Sequence, residues 1–211
     1  MIPRRLVLTS AAACGILGAL PAHATDPARP NPMPEELRKA LERDPTAPVL
    51  GNPQGDITLS VFFDYNCPHC RKMVAPIQAL ISSDRQLRVV YREWPIFGEG
   101  SEFAARASLA YLQTGKYWQF HSTLMAMKDR AAEVSVMRVA RRLDLDETTL
   151  RQGMEAEAVT RHIALSFQLA EHMGLMGTPT FIAGDEAVFG EQTRADLAAL
   201  VARGRKTLGL A

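Results

Sequence analysis

Cys67-Pro68-His69-Cys70 stands directly after the stretch DITLSVFFDYN, and no other feature of the sequence limits the possible folds as tightly. Upstream, Ile57, Leu59, Val61 and Phe63 alternate with Thr58, Ser60 and Phe62, the pattern of a buried strand. Downstream, Met73, Val74, Ile77, Leu80 and Ile81 recur at helical spacing. Pro68 suits the first turn of that helix, where a missing N–H costs nothing, and Pro76 inside it is expected to bend it. The chain must therefore pass from strand to helix at the cysteines. Cys67 falls at the helix N-terminus, where unpaired N–H groups and the helix dipole favour a thiolate. Cys70 lies one turn inward and is expected to be the more buried of the two.

Several chemistries use a Cys-x-x-Cys pair. A zinc site needs four ligands, but there is no second cysteine pair, and His69, His121, His162 and His172 lack ligand spacing. A c-type haem requires histidine after the second cysteine, where Arg71 stands. A structural disulfide closing so short a loop would constrain the unfolded chain little. A dithiol–disulfide site remains, with one sulfur poised to react and the other to resolve.

The N-terminus bears on the compartment. Arg4 and Arg5 precede the apolar run LVLTSAAACGILGAL, and Ala22 and Ala24 occupy small-residue positions before a cleavage point after Ala24. Residues 1–24 thus read as a secretory signal peptide, and the run is shorter than the roughly 18–20 residues of a membrane span. Ordinary secretion fits the residues around Arg4 and Arg5 better than twin-arginine export. Cleavage would remove Cys14 and shift the net charge from +1 to about −1. Cys67 and Cys70 would then be the remaining cysteines, in a periplasmic setting where disulfides persist. The charge balance points to no nucleic-acid partner.

Far downstream, MGTPTFIAGDEAVFG places Thr178-Pro179 at the entry to a strand, followed by a turn at Gly184-Asp185 and a second strand. X-Pro bonds are where cis peptides occur. FFDYNCPHC, REWPIFGEGS, GKYWQFHSTLM and GTPTFIAGD together resemble the DsbA-like branch of thioredoxin-fold thiol–disulfide oxidoreductases, from about Asp56 onward. The resemblance implies an α/β fold, thioredoxin-like with an inserted α-helical domain. It implies Cys67 as nucleophile, Cys70 as resolving thiol and Pro179 as a cis-proline beside them. Thr178 would give its backbone to a bound peptide, with Pro68 also at the substrate. His69, between the sulfurs, is expected to stabilise the Cys67 thiolate. Many relatives carry a buried acid where this chain has Val61; Asp64 or Glu93 could substitute, or could be solvated or capping carboxylates.

The implied organisation is a signal peptide over 1–24, an N-terminal extension over 25–55, a thioredoxin-like domain from 56–98 and 174–211, and a helical insertion over 99–173. Helices are expected over Ser101–Thr114, Lys116–Met127, Ser135–Leu143 and Val159–Met173, the last with Val159, Ile163, Phe167 and Ala170 on one stripe. Trp118, Phe120 and His121 read as core residues. Met33, Leu37, Ala40 and Leu41 share a helical face that either packs on its own domain or forms an oligomer contact.

The function expected from these residues is a periplasmic oxidase. It would take electrons from cysteine-containing secreted polypeptides through a mixed disulfide at Cys67 and be reset by a membrane redox partner, with no metal or organic cofactor. Rival readings are a disulfide isomerase or reductase, and a periplasmic copper-binding protein using the two thiolates as soft ligands.

Overall fold

The computed structural model describes residues 32–210; the leader read in residues 1–24 lies outside them. The central strand is β2, Ile57–Phe63, and all seven of its residues are buried. Its alternation sorts side chains between two covered faces rather than between core and solvent. Ile57, Leu59, Val61 and Phe63 enter one hydrophobic cluster, while Phe62 enters another on the opposite face.

Five strands form the sheet: β1 (Val49–Gly51), β2, β3 (Leu87–Glu93), β4 (Thr180–Ala183) and β5 (Glu186–Phe189), in the order β1-β3-β2-β4-β5. β2 and β3 are parallel, and the other pairs are antiparallel. The parallel pair needs a crossover. Helix α2, Pro68–Ser83, supplies it and runs unbroken through Pro76.

The same alternation explains β3. Leu87, Val89 and Tyr91 join the first cluster, whereas Arg88 and Arg92 reach the other face. There they meet helix α1, Glu35–Glu42, which buries Leu41 against Phe62, Trp94, Leu169, Ala170 and Ile182. A helix end leaves carbonyls without partners. Arg92 donates to those of Ala40 and Leu41, and its Nη1 lies 2.7 Å from Asp44 Oδ2. The apolar face of Met33, Leu37, Ala40 and Leu41 thus packs on its own chain.

Between β3 and β4 come α3 (Glu99–Ala110), α4 (Tyr117–Met125), α5 (Glu133–Arg142), α6 (Glu147–Met154) and α7 (Glu157–His172). The single helix expected over Ser101–Thr114 ends at Tyr111, and a short 3-10 turn, Leu112–Thr114, follows it. Gly115, with φ of 72°, closes that turn in the left-handed conformation glycine favours. On α7, Phe167 lies off the buried stripe and is 42% exposed, edge-on to Trp94. Ser166 continues the stripe from Val159, His162 and Ile163 instead. The final helix, α8 (Arg194–Thr207), packs beside α2, and Gly204 lets it approach the β4–β5 turn so closely that a Cβ on Gly184 would sit 2.9 Å from its Cα.

Candidate active site

Cys67 is the N-cap of α2, with Pro68 the first helical residue. The preceding loop is pinned to the helical segment. The Asn66 side-chain amide donates to Ser101 Oγ at 2.9 Å and to the Ala131 carbonyl at 3.0 Å, and its Oδ1 accepts from Ala131 N–H at 2.7 Å. Arg71 donates to the carbonyls of Tyr65, Met127 and Asp129. Neither residue stood out in the sequence, because their partners lie up to 65 positions away. Together they fix where the helix begins, and hence where Cys67 points.

Both cysteines are free thiols. Their surface exposure is alike, Cys67 being 1% and Cys70 3% accessible, but Cys70 lies the deeper of the two, as expected. The polarity around each sulfur differs as well. The Cys70 thiol donates to Cys67 Sγ; burial opposes ionisation, but the Thr178 side chain and the N–H groups of Cys70 and His69 add to the first effect, holding Cys67 at about 5. Cys67 Sγ lies 3.3 Å from the Thr178 carbonyl oxygen. Burial, followed by the neighbouring Cys67 sulfur, drives Cys70 far above the ordinary thiol range. At neutral pH one sulfur is a thiolate and the other a thiol, which is the division of labour that thiol–disulfide exchange requires.

The Thr178–Pro179 bond is cis, and Pro179 borders a small cavity with Cys70, Met73 and Val61. Thr178 and Pro179 are therefore brought to the cysteine pair. His69 contributes its backbone N–H to the Cys67 sulfur. Its exposed side chain is engaged elsewhere, with Nδ1 2.5 Å from Glu191 Oε1, an oxygen that also accepts from Lys72 Nζ at 2.7 Å. Lys72 first, then His69, hold the Glu191 carboxyl below its usual range. Glu191 was not legible as a site residue: it follows β5 with no motif of its own, and only the fold brings it to α2.

Asp64 and Glu93 are both buried. Asp64 accepts from Asn66 N–H, Ser101 Oγ–H and Phe97 N–H at 2.6, 2.7 and 3.0 Å. Glu93 accepts from the Tyr117 hydroxyl at 2.7 Å and lies 2.9 Å from His162 Nε2. The partners of these carboxylates are loop and helix groups rather than Cys70, so Asp64 is a loop clamp and Glu93 a link between β3 and the helices. Beside the site, Met176 and Phe189 are 83% and 51% exposed and line a shallow groove with Met173, Leu175 and Val188.

The DSBA-like thioredoxin domain matches residues 58–202. A crystal structure of a thioredoxin-like oxidoreductase from Silicibacter pomeroyi DSS-3 is 52% identical, with a TM-score of 0.78, covering 80% of this chain and 98% of that one. A periplasmic thioredoxin-like protein from Salmonella enterica serovar Typhimurium is 27% identical, with a TM-score of 0.74, covering 82% and 97%. Disulfide bond formation protein D of Bacillus subtilis is 25% identical over 67% of this chain and 69% of its own. A further match is to the Na(+)/H(+) antiporter NhaA 3 of Salinispora tropica, 28% identical over 63% of this chain, and it spans only 21% of that protein's length. A reactive thiolate facing a cis-proline loop in a thioredoxin-like sheet, together with a match over most of the described residues, has one conclusion: this chain belongs to the DSBA-like thioredoxin domain family of thiol–disulfide oxidoreductases.

Proposed function

We propose that this protein is a periplasmic oxidase that passes the Cys67–Cys70 disulfide to cysteine-containing secreted polypeptides. A substrate thiolate attacks Cys67 Sγ, the Cys67–Cys70 bond breaks, and Cys70 leaves with the electron pair and takes up a proton. A second substrate thiolate then attacks the substrate sulfur of the mixed disulfide, releasing Cys67 as a thiolate. When the second substrate thiol is absent, Cys70 resolves the mixed disulfide in reverse. Pro68, Thr178 and Pro179 would line the peptide path, and the apolar groove of Met176 and Phe189 supports a polypeptide substrate. A membrane redox partner would then reoxidise the pair.

What carries this reading is the placement of Cys67 at the N-cap of α2, faced by the Cys70 thiol, which holds it at about 5. A stabilised thiolate is a good leaving group, so the protein's own disulfide is easily given away. DsbA itself is the standing example of this link between low thiol pKa and oxidising power. A second reading, a reductase or isomerase, draws on Thr178, because threonine before the cis-proline is more familiar in isomerase-like relatives. Denaturant unfolding of both redox forms decides between them. The oxidase reading expects the reduced form to be the more stable; a more stable oxidised form would make the protein a reductant. Insulin reduction measured beside a copper titration separates exchange from metal carriage.

A further inference from the structure

His121 Nε2 and the Tyr91 hydroxyl are buried polar atoms with no protein hydrogen-bond partner. Both residues line one cavity of about 10 Å³ whose wall also includes Cys70, Val61 and Pro179. That volume suits about one water molecule, and a buried water needs two to four polar neighbours. The otherwise apolar wall supplies three: an imidazole nitrogen, a phenol and a thiol.

The hydrogen bonds behind His121 set its tautomer. The Tyr65 hydroxyl donates to Ser108 Oγ at 2.7 Å and lies 3.0 Å from His121 Nδ1. With its proton committed to Ser108, Tyr65 accepts from His121, so the ring proton is assigned to Nδ1 and Nε2 keeps its lone pair. Stacking on Tyr117 and Trp118, at 5.6 and 5.3 Å between centroids, holds the ring in place. Burial holds its basicity down, at about 3, so Nε2 carries a proton only within the step, while negative charge develops on the neighbouring sulfurs.

We propose that this cavity is a water site joining His121 to Cys70, and that His121 accepts through the water the proton Cys70 loses as it resolves a mixed disulfide. The inference rests on the thiol–disulfide exchange described above. Val61 is an apolar part of the same wall and offers no base; the base comes from α4. As Cys70 Sγ bonds to Cys67 Sγ, the Cys67–substrate bond breaks and the electron pair leaves on the substrate sulfur. In the same step the Cys70 proton moves to the water, and a water proton moves to His121 Nε2. That proton passes on at once, and the released substrate thiolate takes one up from solvent. Cys70 is oxidised, the substrate sulfur is reduced, and Tyr91 donates to the water throughout.

The test mixes reduced protein with a fluorogenic peptide disulfide and acid-quenches at intervals, following mixed disulfide and released thiol by mass spectrometry. His121→Asn and Tyr91→Phe should form the Cys67 mixed disulfide at the native rate. Its resolution should slow by about 100-fold for His121→Asn and severalfold for Tyr91→Phe, so the mixed disulfide accumulates. Unchanged resolution, or equal slowing of both steps, overturns the inference. Failure of the native protein to form any mixed disulfide overturns the exchange reading instead. If His121→Asn does not fold, nitrogen NMR of the native protein labelled in histidine decides: an unprotonated Nε2 whose resonance moves when Cys70 is oxidised is the expected result, and a protonated Nε2 overturns it.

Discussion

His69 and Glu191 lie on opposite sides of the chain's long helical excursion, yet Nδ1 and Oε1 are 2.5 Å apart. The residue between the two cysteines is therefore tied to a carboxylate, while its backbone N–H supports the sulfur. Side chain and main chain of one residue act in different directions.

This relationship predicts the effect of Glu191→Gln. Losing the carboxylate removes a negative charge near the Cys67 thiolate and leaves Lys72 in place. The Cys67 titration midpoint, read from the pH dependence of alkylation, should fall, by up to about half a unit for so exposed a group. An upward shift would show that Glu191 acts through the histidine rather than on the sulfur.

His69→Ala should move the midpoint the other way. It keeps the backbone N–H and removes only the imidazole, so the rise should be partial and the stability gap between reduced and oxidised forms should narrow. Unfolding both forms of both proteins in urea measures this; an unchanged gap would confine the role of His69 to its main chain.

The native protein makes a prediction about pH. Cys67 has a folded value of about 5, below the roughly 8.5 of an unfolded thiol. A depressed acid contributes stability that is fully present above the unfolded value and lost as pH falls through the folded one. The advantage of the reduced over the oxidised form should therefore shrink steadily from about pH 8.5 to pH 5. At pH 6, iodoacetamide should modify Cys67 and spare Cys70. A stability difference that is flat across this window would contradict the thiolate assignment.

Asp64→Asn separates the clamp from the proton carrier. Its three donors would face a partly donating amide, so the variant should lose about 2–4 kcal/mol in denaturant unfolding. The rate of mixed-disulfide resolution at low denaturant should not change. A slowed resolution in a fully stable variant would restore Asp64 as the acid next to Cys70.

Asp44→Ala tests how far α1 belongs to the fold. It would leave the Arg92 guanidinium buried without its counter-charge, at a loss of about 3–5 kcal/mol. In the native protein burial works against Asp44 ionisation, but the Thr46 N–H and hydroxyl and the Arg92 guanidinium outweigh it and lower its pKa. Its contribution is lost as pH falls through that lowered value, so the stability difference between native protein and variant should narrow in acid. A variant as stable as the native protein at neutral pH would mean that α1 is merely draped on the sheet.

The cysteine pair was legible because it sits in a short local motif whose backbone the residues themselves dictate; Thr178 and Pro179 were reached through the family resemblance, and the fold brings them to the pair. Asn66, Arg71 and Glu191 were not, since each matters through a partner supplied by a distant segment. His121 read as core and is core; its chemistry lies in one nitrogen left without a partner, which no spacing reveals. Phe167 misled for a related reason. Apolarity placed it on the stripe, but α7 turns His162 inward onto Glu93 of β3 and leaves Phe167 edge-on to Trp94 at the surface.

The contact between Cys67 and Thr178 spans 111 positions. A ribosome making this chain releases Cys67 and Cys70 long before the threonine whose side chain helps to hold the thiolate. Until Thr178 has emerged and β4 has paired with β2, Cys67 lacks one of its stabilising contacts and is closer to an ordinary thiol. The environment that depresses the Cys67 pKa is therefore complete only once the chain beyond Thr178 has been made.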